Sequence, residues 1–325
     1  MVGVQPNGRS LLNGSSEDLE VRGDDAIKKL VAQYDTFLFD CDGVIWNGPA
    51  GDHLTDDAVE TISFLKKSGK KVAFVTNNAT KSRQDYLKKF KGFGFDVELE
   101  EIYTSGSAAA EYVRAVVLPS INDESKRNIY LIGQKAMEDE LEAEGLAWTG
   151  GTDPSDDVLL PPQDFSSIHA DPSIGVVLYS FQMRINYKQL TKAYNYLASN
   201  QGCQLVLTND DQSMLLPDQQ GYAPGEGAIA SVLYGALPRG QKPIVVGKPY
   251  QPLLDVIKRE ISFDKKRTVF IGDRLETDVL FAKRGEIDSI LVWTGISQPK
   301  DLHDLTSDQA PDYTLSHIGA FLRAQ

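Results

Sequence analysis

Short apolar runs alternate along this chain with stretches whose apolar positions recur every three or four residues. The first run is Thr36-Phe37-Leu38-Phe39-Asp40, and after it Val59, Ile62 and Leu65 fall on one helical face. Thr55 is placed to cap that helix, Lys66 and Lys67 fall in its last turn, and Gly69 can end it. A second strand is expected at Val72–Thr76, then a helix through Tyr86, Leu87 and Phe90. Further strands are expected at Asn128–Ile132, Ile174–Tyr179, Gln204–Thr208, Ile244–Val246, Thr268–Ile271 and Ser289–Val292. Strands that alternate with helices predict an α/β fold whose mainly parallel sheet is covered on both faces. The unbroken apolar strand Ile174–Leu178 fits that burial. In open sheets of this kind the chemistry gathers beyond the carboxyl ends of the strands. That rule points to Asp40, Thr76, Gly247-Lys248 and Gly272-Asp273.

Composition narrows the class without naming it. The chain has 325 residues, room for about two domains, and is 41% hydrophobic and 24% charged, an ordinary globular balance. A net charge of −13 repels nucleic acid and anionic membrane surfaces. No apolar run approaches the roughly 18–20 residues of a membrane helix. Residues 1–24, rich in Gly, Ser, Asn and Asp without periodicity, are expected to form a loose leader, with no export or transit signal in Met1–Glu20. Two cysteines, Cys41 and Cys203, cannot build a disulfide framework, so a reducing, cytoplasmic setting is expected.

Each of the four strand ends, taken singly, also has a structural reading. Asp40-Cys41-Asp42-Gly43-Val44 is a polar turn, or a pair of carboxylates given different roles by a sharp bend at Gly43. Thr76-Asn77-Asn78 is a helix cap, or a hydroxyl, amide and N–H cluster able to hold a phosphate. Lys248 in Gly247-Lys248-Pro249 is a solvated charge or an anion clamp. It is not a phosphate-loop lysine, because Gly240 precedes Gly247 by seven positions and Pro249 replaces the required hydroxyl residue. Gly272-Asp273-Arg274-Leu275-Glu276-Thr277-Asp278 supplies acids that could simply cap a helix.

Together the four are harder to explain structurally. Asp40, Asp42, Asp273 and Asp278 at one sheet edge would repel one another unless a cation sat among them. Hard oxygen ligands without a His or Cys cluster point to Mg²⁺ rather than zinc. Mg²⁺, Lys248 and the N–H groups after Thr76 would then give this acidic protein a local positive focus for an anionic substrate.

In order, Asp40-x-Asp42-Gly43-Val44, Thr76-Asn77, Gly247-Lys248-Pro249 and Gly272-Asp273-x₄-Asp278 resemble the four signatures of haloacid dehalogenase-superfamily phosphatases. Phe39–Trp46, Val75–Asn78 and Gly272–Asp278 most resemble the eukaryotic 4-nitrophenyl phosphatase and phosphoglycolate phosphatase group, over residues 35–297. The resemblance implies that Asp40 is the nucleophile, forming an aspartyl-phosphate, and that Asp42 is the general acid and base. It implies Mg²⁺ held by Asp40, Asp273 and the backbone carbonyl of Asp42, with Asp278 behind them. Lys248, Thr76, Asn77 and Asn78 would stabilise the phosphoryl oxygens. The substrate implied is a small phosphorylated metabolite, most of all 2-phosphoglycolate, with 4-nitrophenyl phosphate hydrolysed in vitro. Pyridoxal 5′-phosphate and a broad, metabolite-repair specificity are the alternatives.

Spacing locates a second domain. Asp40 and Thr76 are 36 positions apart, whereas Thr76 and Lys248 are 172 apart, far more than a strand–helix connection needs. The expected architecture is a Rossmann-like parallel-sheet core, residues 25–105 and 241–325, with an α/β cap at 106–240 inserted between the second and third motifs. That is the family's type-2 cap, and the resemblance also implies a homodimer formed through it. Specificity would lie in Asn209–Pro217, with Asp211 and Met214 as candidates. Pyridoxal-phosphatase relatives carry a His in the matching loop, and here Met214 takes its place. Arg83 is one candidate for a substrate carboxylate.

Three rival readings fit less well. Gly225-Glu226-Gly227-Ala228-Ile229-Ala230 mimics a dinucleotide fingerprint, but it follows Gly221–Pro224 rather than a recognisable strand, which counts against an oxidoreductase. A binding protein on an inactive phosphatase scaffold is disfavoured because all four motifs keep their chemical groups. Cysteine-phosphatase spacing fails, since Asn47 and Asn209 stand where an Arg is required.

Overall fold

The computed structural model describes residues 19–47, 51–216, 221–237, 242–303 and 305–325, apart from the side chain of Leu215. The expected leader therefore lies outside the described residues as far as position 18, as does Pro217 of the expected specificity loop. The chain divides into two compact units. One holds the described residues up to Thr76, Leu87–Tyr103 and Lys248–Gln325; the other, an insertion, holds Asn77–Tyr86 and Thr104–Gly247.

Among the described residues, eleven strands build the two principal sheets. In chain order they are β1 Thr36–Phe39, β2 Lys71–Thr76, β3 Ile102–Thr104, β4 Asn128–Ile132, β5 Trp148–Gly150 and β6 Ile174–Tyr179, then β7 Gln204–Leu207, β8 Ile244–Val245, β9 Thr268–Gly272, β10 Asp288–Val292 and β11 Tyr313–Leu315.

The first unit orders its strands β11-β10-β9-β1-β2-β3, with parallel pairing from β11 to β2. Counted within the unit, this is the Rossmann order, whose direction of winding reverses between β1 and β9. All four residues of β1 are buried, as the unbroken apolar run requires of a strand covered on both faces. Phe37 meets Phe321 edge-on at 5.8 Å, and Phe74 packs on Phe90 at 4.3 Å. Each such ring contributes about 1.5–3 kcal/mol by leaving water. Register then sets the functional edge: Phe39 lies opposite both Ile271 and Phe74, so the chain after β1, β9 and β2 emerges at one level. The Asp40 N–H extends the ladder one step further, donating to the Ile271 carbonyl at 2.8 Å.

The insertion unit has its own sheet, ordered β8-β7-β6-β4-β5 and parallel throughout. This is the flavodoxin-like winding, with β6 buried at all six positions. Among the described residues no helix is long and apolar enough to cross a membrane.

Several local expectations change. The strand before Lys248 joins the insertion sheet through β7, so the four motif-bearing strand ends do not share one sheet. Thr55 does not cap the helix Ala58–Lys67; its hydroxyl donates to the Val44 carbonyl at 2.7 Å, while Asp57 precedes the helix in a left-handed conformation. Gly69 does follow the helix, with φ +76°. Residues expected in the leader are tied down: the Val21 N–H donates to the Thr314 carbonyl at 3.0 Å, and Leu19 packs on Val279, Leu291 and Leu302. Strands β3, β5 and β11, three residues each, are too short for periodicity to reveal.

Candidate active site

Asp40 and Asp273 follow β1 and β9, the adjacent strands at the winding reversal of the first unit, where parallel sheets open a crevice. Asp40 Oδ1 accepts from the Cys41 N–H at 2.8 Å and pairs with Lys248 Nζ at 2.7 Å. Asp273 Oδ2 accepts from the Ile296 N–H at 2.7 Å, whereas its buried Oδ1 has no hydrogen-bond partner. Gly43, with φ +86°, lies against Asp273: a Cβ there would stand 2.6 Å from the Asp273 carboxylate. The turn that follows the two carboxylates of the first motif therefore needs glycine for both its conformation and its clearance.

Lys248 is only 2% exposed and joins the acids. Its ammonium pairs with Asp278 Oδ1 at 2.8 Å and donates to the Val75 carbonyl at 3.2 Å. Asp278 Oδ2 accepts the Asp273 and Arg274 N–H groups, each at 3.1 Å, so both its oxygens are engaged. Asp40, Asp273 and Asp278 each offer an oxygen within 4.8 Å of the others.

Three buried carboxylates thus face one ammonium, and the titration behaviour follows. Burial pushes Asp40 well up, Lys248 opposes that, and the charges of Asp278 and Asp273 add to it. Burial also raises Asp273, reinforced by Asp278 and opposed by the Ile296 N–H. For Lys248 burial favours the neutral amine, but Asp278 and Asp40 outweigh it, so its pKa rises and the charge is retained. A hard divalent cation fits this surplus of negative charge, and the orphaned Asp273 Oδ1 is a ready ligand. The oxygens of Asp278, held by Lys248 and two N–H groups, suit a supporting position behind the ligands.

Asp42 is exposed, unlike Asp40. Its Oδ1 accepts from Trp46 Nε1 at 2.9 Å and its Oδ2 from Thr76 Oγ1 at 3.5 Å. The remaining candidates belong to the insertion unit. The Asn77 carbonyl accepts from Ser105 Oγ at 2.5 Å and Asn209 Nδ2 at 3.0 Å, and Asn77 Nδ2 reaches Asp211 Oδ1 at 3.4 Å. Asn78 Oδ1 caps the next turn, accepting from the Thr80 N–H at 3.0 Å and its hydroxyl at 2.6 Å. Met214, 40% exposed, pairs with Ala223 in a hairpin of Ser213–Leu215 with Tyr222–Pro224. Arg83 is bound to Glu140 at 3.1 Å and approaches Glu144 at 3.7 Å, which neutralises it as a carboxylate receptor.

Three contributors escaped sequence reasoning. The loop after β10 places the Ile296 N–H on Asp273 and Thr294 Oγ1 on the Gly43 carbonyl at 2.5 Å. A signal existed, since Thr294-Gly295 follows another strand end. Trp46 lay within the first motif without a role, and Val75 offers only its backbone. The glycines of Gly225–Ala230 also receive an explanation. A short strand, Tyr222–Pro224, does precede them, but it is antiparallel. The N–H groups of Gly225 and Gly227 donate to the carbonyls of Gln212 and Asp211, both at 3.0 Å. These glycines seat the helix Glu226–Ala236 on the loop rather than cradle a dinucleotide.

Residues 37–147 match the model of the haloacid dehalogenase-like hydrolases and residues 245–321 a second, HAD-hydrolase-like model. The 4-nitrophenylphosphatase of Schizosaccharomyces pombe is 37% identical over 293 residues, 90% of this chain and 94% of that protein. The chain belongs to the haloacid dehalogenase-like hydrolases. Among this hydrolase's relatives, the chloroplastic phosphoglycolate phosphatase 1A of Arabidopsis thaliana is 36% identical, over 90% of this chain and 78% of the plant protein. The solved p-nitrophenyl phosphatase from Archaeoglobus fulgidus superposes with a TM-score of 0.71 at 26% identity, covering 90% of this chain and 100% of that one. The hydrolase therefore stands among the phosphatases of its family.

Proposed function

We propose that this hydrolase is a Mg²⁺-dependent phosphomonoesterase that works through an aspartyl-phosphate on Asp40, with 2-phosphoglycolate as its preferred small-metabolite substrate. The observation that carries the reading is the buried cluster of Asp40, Lys248, Asp278 and Asp273, with one Asp273 oxygen unpartnered. Asp40 and Asp273, with the backbone carbonyl of Asp42, would hold the metal. When bound, Mg²⁺ supplies charge stabilisation to the phosphoryl oxygens and to the ionised form of Asp40. Lys248 keeps Asp40 beside a fixed positive charge and adds its own to the transferring group. Thr76 and the N–H groups of Asn77 and Asn78, which follow it in the chain, would donate to the phosphoryl oxygens. Asp42 would give a proton to the leaving oxygen and later take one from water, a division of labour that suits one buried and one exposed carboxylate.

Substrate preference is assigned to the loop that begins at Asn209. Its Met214 offers a pyridine ring no hydrogen bond, which counts against pyridoxal 5′-phosphate. With Arg83 engaged by Glu140, the carboxylate of phosphoglycolate would need backbone N–H groups or another Arg. One oriented polar contact is worth about 1–3 kcal/mol, or roughly 5- to 150-fold in selectivity. The test is kcat/KM for 2-phosphoglycolate, pyridoxal 5′-phosphate and 4-nitrophenyl phosphate under identical Mg²⁺. A higher value for pyridoxal 5′-phosphate refutes the assignment, and equal values for the two metabolites mark a broad-specificity phosphatase.

A further inference from the structure

We infer that Trp46 is a positioning residue for Asp42: its buried indole N–H fixes which oxygen of that carboxylate carries the transferable proton. The inference rests on the phosphatase reading above. Asp42 is exposed, and an exposed aspartate left alone samples several rotamers. Here Trp46 Nε1 holds Oδ1 at 2.9 Å, and Trp46 itself is fully buried.

The indole cannot follow a moving carboxylate, because its own position is set from several sides. Phe90 packs on it at 4.8 Å, Phe93 stacks at 6.3 Å, and the Lys89 ammonium lies 3.6 Å above the ring. A cation over the ring face is attracted by its electron density and holds the plane in place. The backbone adds a second constraint, for the Gly43 N–H donates to the Trp46 carbonyl at 2.8 Å. The Cys41 carbonyl accepts from the N–H of Ile45 at 2.9 Å and of Trp46 at 3.2 Å. The loop thus returns on itself and sets residue 46 beside residue 42.

The donor-only chemistry of indole gives this contact its consequence. An indole N–H can only donate, so Oδ1 of Asp42 must accept, whether Asp42 is charged or neutral. Thr76 Oγ1, the partner of Oδ2 at 3.5 Å, is a hydroxyl that can turn from donor to acceptor, so Oδ2 is the oxygen that carries the proton of the acid form. In the first half-reaction an Asp40 oxygen bonds to phosphorus and the bond from phosphorus to the leaving oxygen breaks. The electron pair of that bond stays on the leaving oxygen, which takes the proton from Oδ2. A 4-nitrophenolate leaves as a stable anion without that proton, whereas the more basic phenolate depends on it.

The two aryl esters are close in size and bypass the question of the natural substrate. Their kcat/KM values report the first phosphoryl transfer. Trp46→Phe is expected to lower the ratio of kcat/KM for phenyl phosphate to that for 4-nitrophenyl phosphate by roughly tenfold, the scale of one lost hydrogen bond to a charged group. Asp42→Asn should move the ratio in the same direction. A variant that loses activity on both esters by the same factor overturns the inference, since loosened packing alone would do that. Site-specific replacement of Trp46 by 3-benzothienylalanine, which keeps the bicyclic shape and lacks the N–H, must reproduce the shift, and an unchanged ratio refutes it. If Asp42→Asn leaves the ratio unchanged, the acid role of Asp42 falls and this inference with it. If Asp42→Asn shifts the ratio and the Trp46 variants do not, only the present inference fails.

Discussion

Asp40 and Asp42 are two positions apart, yet one is buried against Lys248 and the other reaches solvent. That contrast separates their expected phenotypes. Asp40→Asn should abolish turnover, because an amide neither attacks phosphorus nor balances a cation. Asp42→Asn should lower kcat by about 10²–10⁴-fold, the usual scale of lost general acid–base catalysis. Steady-state assays check both, on 4-nitrophenyl phosphate for Asp40→Asn and on phenyl phosphate for Asp42→Asn, and near-normal turnover by Asp40→Asn would sink the mechanism. Cys41, between them, is fully buried, and burial followed by the charges of Asp40 and Asp42 pushes its thiol well up. So little thiolate argues against a redox role. These acids were legible because Asp40 directly follows an apolar run and Asp42 stands two positions beyond it. Trp46 was not legible as a partner, because an aromatic in a buried turn looks the same whatever its N–H meets.

Among elements, the start of the helix Glu226–Ala236 and the loop from Asn209 act as one piece. Glu226 is 3% exposed and accepts from the Thr208 hydroxyl, from the Asn209 N–H at 3.1 Å and from Asn209 Nδ2 at 3.0 Å. The same Asn209 amide donates to the Asn77 carbonyl, which ties the loop to the second motif's asparagine. Burial is the largest influence on Glu226 and pushes its pKa from 4.5 up to about 8, although the Thr208 and Asn209 donors oppose the rise. Between those two values the folded chain keeps a proton that the unfolded chain has released, so Glu226 makes stability fall as pH rises across this window. Glu226→Gln, which cannot ionise, should lose less stability than wild type from pH 5.5 to pH 8, by at least about 2 °C in Tm. Thermal melts of the full chain at both pH values are the measurement, and parallel slopes would contradict it. In the sequence this element shows itself only by its glycines, whose spacing also fits a dinucleotide site. The local spelling was the same; the difference lies in which carbonyls the Gly225 and Gly227 N–H groups already meet.

Across the whole molecule, the surplus of buried negative charge at Asp40, Asp273 and Asp278 is expected to couple binding of a divalent cation to both activity and folding. Activity should vanish in excess chelator and return with Mg²⁺. Calcium prefers more ligands at longer range and should inhibit, by letting both oxygens of Asp40 coordinate and misplacing the nucleophile. A ligand at a hundredfold excess over its Kd stabilises the folded state by about 2.7 kcal/mol, so Tm should climb by several degrees on adding Mg²⁺. Full turnover in chelator, or with Ca²⁺ alone, would contradict the assignment.

The sequence by itself determined the α/β class, most longer strands and the four polar strand ends, because burial periodicity and motif spacing are local properties of the chain. Spacing also implied a separate unit between Thr76 and Lys248, since 172 positions are far more than one connection needs. Other outcomes depended on partners distant in sequence, which no local pattern encodes. The strand before Lys248 pairs with β7 in the insertion sheet, because a short apolar run satisfies any parallel neighbour of suitable register. Thr55 turns its hydroxyl to the Val44 carbonyl eleven positions away instead of capping its helix. Leu19 and Val21, polar-flanked and unperiodic, meet their partners, Leu302 and the Thr314 carbonyl, almost 300 positions along the chain. Only the tertiary structure could decide that Asp273 keeps one buried oxygen without a donor, because the Ile296 N–H that takes the other arrives from a loop 23 residues away.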